Sequence, residues 1–537
     1  MSGGRLARHA AKTSKSFPLQ TGAFPSGGEI GRMIDATAQT TAATTLTAPP
    51  PSSHAPGVDE IKTTAAHDDA PPQALLDFMV TGWAPASHPE AVLAGADHFR
   101  ARRAAISQRF PGEVLVVPTG HEKVRANDTS FRFRAGTDFY YLTGNLEADC
   151  VLVMTPHSDG GHAAFMYVEP NPGKTDPAFF TDRAKGELWV GPRLGLSESA
   201  RRYGLETRGL PDLKAELESI AAAGANRSRV LRGVDAHIDG TLPPAAERDA
   251  EFAAALSEMR LIKDTYEIAQ LESAIASTHR GFEDVLRALP ASKTERYVEG
   301  VFGLRARVEG NDVGYGTIAA SGAHACTLHW TKNDGALRPE DLLLLDAGVE
   351  ANTLYTADIT RTIPIGGRFS REQREIYELV FAAQEAGFAA CKPGNDFMAP
   401  NDAAMHVIAH GLERLGILKT SAEEALLKTN QFYKRYSLHG VSHMLGLDVH
   451  DCAAARKETY KYGKLAAGMV LTVEPGLYFQ PDDATVPERY RGIGVRIEDD
   501  VVITPSGYRN LSAALPRRAD EVEAWVTRLS SEPPRLP

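Results

Sequence analysis

Leu342-Leu-Leu-Leu-Asp346 and Tyr355-Thr-Ala-Asp358-Ile-Thr-Arg-Thr362 each set a carboxylate inside, or at the end of, an apolar run of strand length. The same anomaly recurs twice downstream. Met469-Val-Leu-Thr-Val-Glu474 stops at Pro475-Gly476, and Val495-Arg-Ile-Glu498 precedes the apolar Val501-Val-Ile503. An unpaired buried carboxylate costs several kcal/mol, so four of them need compensation. Any one could pair with an arginine, cap a turn or face solvent at a strand end. Taken together they outnumber the nearby bases, of which Arg361 and Arg496 are the obvious ones. Divalent cations would balance all four at once, and hard oxygen ligands suit Mn2+, Mg2+ or Co2+, with Zn2+ also admissible.

Histidines supply the second clue. His439-Gly-Val-Ser-His443-Met-Leu-Gly-Leu-Asp-Val-His450-Asp451 places three imidazoles in one glycine-containing segment, and His329 in Cys326-Thr-Leu-His-Trp330 is a fourth. A lone histidine is usually a satisfied core or surface residue; several beside acidic strands more often mark a site. On physical grounds alone the pattern reads as a carboxylate-rich, histidine-containing dimetal site for hydrolysis.

Working outward, Asp264 with Glu267 forms a capping-box signal, and Ile268, Leu271, Ile275, Phe282 and Leu286 mark one helical face that ends at Pro290. Ser370 with Gln373 opens a second helix, and Asn401 or Asp402 a third that reaches Leu415. With strand runs at 342–346, 355–363, 469–474 and 495–503, this mixture predicts an α+β domain over residues 261–515. Upstream, helical signals at 98–109, 197–203 and 213–222 alternate with strand-like runs at 113–118, 139–142, 150–154, 164–168 and 187–190. An α/β domain is therefore expected over residues 76–260. Residues 1–75 read as a disordered extension, because a stretch dominated by Ala, Thr, Pro, Ser and Gly buries too little apolar area to offset its ordering entropy. Residues 516–537 read as a tail.

Composition narrows the function classes. With 537 residues two folded domains are expected, and a net charge of −11 argues against a general nucleic-acid binder. The four cysteines, Cys150, Cys326, Cys391 and Cys452, form no CxxC pair, which fits a reducing cytoplasm. No apolar run approaches the roughly 20 residues of a membrane span, and no apolar signal-peptide segment follows the basic first residues.

These segments resemble the methionine aminopeptidase, aminopeptidase P and prolidase family, whose catalytic domain has the pita-bread fold. Asp346-Ala-Gly348, Asp358-Ile-Thr-Arg-Thr362, His439-Gly-Val-Ser-His443, Val473-Glu-Pro-Gly-Leu-Tyr478 and Gly492-Ile-Gly-Val-Arg-Ile-Glu-Asp499 look like family signatures in the family's order. Arg134-Ala-Gly-Thr-Asp-Phe-Tyr-Tyr-Leu-Thr-Gly144 and Glu187-Leu-Trp-Val-Gly-Pro-Arg-Leu-Gly195 resemble motifs of the aminopeptidase P N-domain. The likeness spans roughly residues 90–515.

The resemblance implies two divalent ions, with Mn2+ expected, held by Asp346, Asp358, His443, Glu474 and Glu498. Asp358 and Glu498 would be shared between the ions. It implies hydrolysis by a hydroxide bridging them, with Glu474 as general base. His329, His450 and His439 would line the substrate site, Arg496 and Tyr478 would support the cluster, and Asp128 aligns with an N-domain aspartate reaching it. One departure concerns spacing: Asp346 to Asp358 is one residue longer than the family interval, and an extra turn residue within 350–353 would leave both strands in place. The implied activity is release of an N-terminal residue from peptides with proline second. The implied partners are such peptides and further copies of the chain, in a dimer or tetramer. A prolidase restricted to Xaa-Pro dipeptides would share the same ligands, and a non-catalytic pita-bread binding module would have lost some of them.

Overall fold

In the computed structural model, which describes residues 70–84, 91–127, 129–158 and 160–535, regular structure begins at Gln73–Met79, a helix that buries no residue. The expected disordered extension lies outside the described residues up to residue 69, and its last residues already enter this helix. The N-terminal domain comprises helix α1 (Ala96–Arg109), strand β1 (Val114–Pro118), helix α2 (Thr137–Thr143), and strands β2 (Val151–Pro156), β3 (His162–Val168), β4 (Glu206–Gly209) and β5 (Ser228–Val230). Its sheet has the order β4-β3-β2-β1-β5, antiparallel through the centre and parallel at both edges.

Two strand expectations fail here. Residues 139–142 lie in α2, which runs between Gly136 and a left-handed Gly144 with φ 71°. All four are buried, so no one-sided period betrays a helix. Residues 187–190 likewise form a short helix, held between Gly186 and Gly191.

The second domain opens with α3 (Thr265–Ala288) and α4 (Glu295–Glu309). The expected capping box is present at α3: Asp264 accepts from the Glu267 N–H, and Glu267 accepts from the Asp264 N–H. Strands β6 (Ile318–Ser321), β7 (Leu342–Ala347) and β8 (Ile359–Pro364) form an antiparallel sheet in the order β8-β7-β6. Helices α5 (Arg371–Ala390), α6 (Ala399–Arg414) and α7 (Ala422–Leu426) follow. The α5 start carries the expected Ser370–Gln373 box, whereas α6 starts before Asn401, at Ala399 with Pro400 in its first turn. A second set of strands comprises β9 (Val470–Val473), β10 (Gly476–Tyr478), β11 (Gly494–Arg496), β12 (Asp499–Thr504) and β13 (Gly507–Asn510). Helix α8 (Ala519–Ser530) lies where a tail was expected; Val522, Trp525, Val526 and Leu529 of its inner face join the main core.

Two local features set up the site. The β7–β8 hairpin keeps one register throughout, from Leu342 opposite Pro364 to Ala347 opposite Ile359, and on to Ala351 donating to the Tyr355 carbonyl. Its tip is therefore residues 352–354, with Leu354 left-handed at φ 63°, so the longer interval is absorbed in the turn. Asp346 stands opposite Thr360, and Asp358, two residues before Thr360, points to the same face. Gly348 is required in the first arm of this hairpin, just after β7, because a Cβ there would lie 1.7 Å from the Ala357 carbonyl oxygen.

The second feature is a seam. β9 pairs with β12 up to Val473 opposite Asp499, and β10 pairs with β11 from Gly476 opposite Arg496. Both ladders share one register, so Glu474 and Glu498 face each other across the gap between them. Pro475, which has no N–H to donate, sits in that gap. The expected single strand over 495–503 is thus two strands, broken at Glu498.

Charged contacts join the domains. Arg134 reaches Glu350 at 2.6 Å and the Leu447 carbonyl at 2.6 Å. Arg260 pairs with Asp138 and, at 2.9 Å, with Asp451, which Lys263 also approaches at 3.1 Å. Among the described residues no helix is long and apolar enough to cross a membrane.

Candidate metal centre

The hairpin and the seam converge on one cluster. Ligand atoms of Asp358, His443 and Glu498 all lie within 4.8 Å of one another. His443 Nε2 stands 3.3 Å from Asp358 Oδ2 and 3.5 Å from Glu474 Oε1. Asp346 joins through two shared partners. The Tyr315 hydroxyl lies 2.7 Å from Asp346 Oδ1 and 2.6 Å from Asp358 Oδ1, and Arg496 Nη2 donates to Asp346 Oδ2. A phenol has one proton, so Tyr315 can donate to only one of those carboxylates at a time. Glu498 Oε2 accepts from Thr360 Oγ1 at 2.6 Å.

Three buried acids and the half-buried Glu474 face one guanidinium and one imidazole, and the proton affinities of Asp346, Glu474 and Glu498 register the imbalance. Burial, reinforced by the neighbouring carboxylates, drives Glu498 well above the carboxylate range. Burial also raises Asp346, against the pull of Arg496, and lifts Glu474 to about 7, against the pull of His443. For His443 burial disfavours charge, but the hydrogen bond to Asp358 and the charge of Glu474 outweigh it and raise the imidazole to about 9. Asp500 is a further buried acid; its Oδ2 accepts from the Asp358 N–H at 3.1 Å while its Oδ1 has no hydrogen-bond partner. A nest of oxygen donors with one imidazole and too little positive charge fits divalent metal.

A relay of hydrogen bonds flanks the cluster. Arg496 Nη1 donates to Tyr478 Oη at 2.9 Å, and Tyr478 Oη lies 2.7 Å from His439 Nε2. His439 Nδ1 lies 2.8 Å from the Gly440 carbonyl, which can only accept, so its N–H is assigned to Nδ1 and Nε2 accepts from Tyr478. Burial, with the charge of Arg496, lowers His439 to about 4, so it is neutral near pH 7. Its Nδ1 is 3.5 Å from Glu474 Oε2.

The structure therefore gathers Asp346, Asp358, His443, Glu474, Glu498, Arg496, Tyr478 and His439. His450 packs edge-on against His443, ring centroids 4.4 Å apart, and is lowered by burial and by the charge of His443. His329 is exposed on the loop after β6, within electrostatic reach of His439 and His450 but in no direct contact with the carboxylates. Asp128 lies outside the described residues.

Several residues of the site escape sequence reasoning. Tyr315 has only its glycine neighbours, Gly314 and Gly316, as a signal; a Cβ at Gly314 would lie 1.8 Å from Thr356 Oγ1. Thr360 is recoverable by parity, two residues after Asp358. Glu295, fully buried at the start of α4, reads merely as a favourable first-turn acid. It accepts from Ser321 N (2.7 Å), His324 Nδ1 (2.8 Å), Trp330 Nε1 (2.8 Å) and Gly335 N (2.7 Å). Those donors bracket the loop that carries His329.

Comparisons with known proteins agree with this geometry. Residues 269–505 match the model for metallopeptidase family M24, and residues 99–230 match the aminopeptidase P N-terminal domain. Xaa-Pro aminopeptidase 1 of Streptomyces coelicolor is 53% identical over 460 residues, covering 85% of this chain and 92% of that protein. Xaa-Pro aminopeptidase of Escherichia coli is 32% identical over 446 residues, covering 80% and 96%. The solved structure of E. coli aminopeptidase P with the inhibitor Pro-Leu superposes with a TM-score of 0.73 at 30% identity, covering 81% of this chain and 99% of that one.

Proposed function

We infer the working of the site from one premise: this chain belongs to metallopeptidase family M24 and is an Xaa-Pro aminopeptidase, with an aminopeptidase P N-terminal domain ahead of a pita-bread catalytic domain. The observation that carries the assignment of the site is the convergence of Asp358, His443 and Glu498 within 4.8 Å, ringed by further buried carboxylates. Asp346, Asp358, His443, Glu474 and Glu498 would hold two divalent ions, and four carboxylates with one imidazole favour Mn2+ over softer metals. When bound, such a pair supplies Lewis acidity, polarising the scissile carbonyl and lowering the pKa of water.

The chain's own residues do the rest. Glu474 stands between His439 and His443, where its Oε2 can take a proton from the attacking water and pass it to the departing prolyl nitrogen. Neutral His439, held by Tyr478, is a directed polar group that adds no charge beside the substrate. His450 and the exposed His329 face the same region and would hold the scissile carbonyl as its charge develops. Imidazoles suit this bond because an Xaa-Pro amide has no N–H to offer a strand-like docking surface. Arg496 orients Asp346 and Tyr478 together. Asp128 is carried as a substrate-side residue of the N-terminal domain. We place the domain boundaries at residues 76–260 and 261–530, the second domain taking in α8, and assign the chain to a cytoplasmic homo-oligomer; sedimentation would test the oligomer and cell fractionation the compartment.

The decisive experiment reconstitutes purified chain with Mn2+ and compares Xaa-Pro-Yaa peptides with Xaa-Pro dipeptides, using Glu474→Ala as control. Cleavage of the longer peptides, lost by at least a thousandfold in Glu474→Ala, is expected. Cleavage of dipeptides alone would turn the reading to prolidase, and full activity in Glu474→Ala would remove Glu474 from the proton path.

A further inference from the structure

Outside the carboxylate cluster, α6 presents His406 and His410 on one face, one turn apart. Their Nε2 atoms lie 3.3 Å from each other, with ring centroids at 4.4 Å. Two neutral imidazoles so placed share a single proton, one donating and one accepting. A metal ion would engage both lone pairs. Zn–N bonds of 2.0–2.1 Å at the tetrahedral angle set two ligand nitrogens about 3.3 Å apart, so the pair already stands at the spacing of two ligands on one tetrahedral ion. A third donor comes from the next helix. Glu423, in the first turn of α7, holds Oε1 4.0 Å from His410 Nε2, and its side chain is 74% exposed. Its neighbour Glu424 is instead tied to Thr420. The backbone beneath Glu423 is fixed to α6 by Glu413, which accepts from the Ala422 N–H at 3.0 Å.

We propose that His406, His410 and Glu423 form a second, surface metal site for a borderline-soft divalent ion such as Zn2+, separate from the catalytic cluster. The two sites divide metals by ligand chemistry: carboxylates select the harder ion, and the imidazole pair selects Zn2+ or its neighbours Ni2+ and Cu2+. An ion here would tie α6 to α7.

The test uses the full chain loaded with Mn2+, then dialysed against micromolar Zn2+ with Mn2+ kept in excess. Metal per chain is counted by mass spectrometry for the wild type and for His406→Gln/His410→Gln. The wild type is expected to retain one more Zn2+ per chain, and Zn2+ is expected to raise its apparent Tm more than that of the double variant. Both histidines lie away from the catalytic cluster, so peptidase activity before Zn2+ addition is expected to match and verifies the fold of the variant. Equal Zn2+ counts in the two proteins would overturn the proposal. Glu423→Gln is expected to weaken Zn2+ binding about tenfold; unchanged affinity would overturn the part assigned to Glu423.

Discussion

Tyr315 shows how much of this site rests on single atoms. Its hydroxyl touches two candidate ligands, Asp346 and Asp358, and its one proton holds whichever of them accepts it. Partners of metal ligands typically matter by about 10–100-fold in metal affinity. Tyr315→Phe is accordingly expected to weaken Mn2+ binding about tenfold or more while leaving the fold intact, as read by metal titration beside circular dichroism. Glu295 acts at greater range. Replacing it with Gln turns an amide N–H2 toward two existing donors and strands them, at about 1–3 kcal/mol each. Glu295→Gln is expected to lower the urea midpoint and to cut kcat/KM at least tenfold with metal content unchanged; wild-type kcat/KM would show that the His329 loop holds without it. The four acids are legible in the sequence because their placement violates hydrophobic patterning, and three of the histidines because they cluster in one glycine-containing segment. Tyr315 and Glu295 are not, since a tyrosine between glycines and an acid in a helical first turn violate nothing.

At the level of elements, the chain states its helices more plainly than its breaks. Capping boxes at Asp264 and Ser370 announce α3 and α5 because they are local reciprocal bonds. The aromatic run in α2 misleads because every residue of its apolar stretch is buried, and a wholly buried helix has no polar face to set the period. The break at Glu498 is invisible for another reason: its partner across the gap, Glu474, is fixed only by pairing with a strand some twenty residues away. The β7–β8 hairpin gives a direct test of element packing. In Gly348→Ala the new methyl would press on the Ala357 carbonyl, and overpacking of this kind costs about 1–3 kcal/mol. The urea midpoint is expected to fall accordingly, and Mn2+ affinity with it, because Asp346 and Asp358 sit on opposite arms of the displaced turn.

Across the whole molecule, the two domains are held together by charge as well as by apolar packing. Asp451, fully buried, loses ionisation through burial, yet Lys263 and Arg260 more than compensate and hold it at about 2. In the unfolded chain an aspartate titrates near 3.9. The depressed folded value means that the stabilisation is complete above about pH 4 and is lost as pH falls toward 2, amounting to about 2–3 kcal/mol. Asp451→Asn is expected to destabilise by about 3–5 kcal/mol at neutral pH, because Lys263 stays buried without its carboxylate and Arg260 keeps only Asp138. Its acid limb between pH 4 and 2 is expected to flatten, as urea unfolding at stepped pH would show. The same pairing has a consequence in time. Arg260 and Asp451 are 191 residues apart in the chain, so at roughly 5–20 residues per second the ribosome delivers the anion about 10–40 s after the cation. Throughout that interval Arg260 has only Asp138 of its own domain to pair with, and Lys263 is without the Asp451 carboxylate.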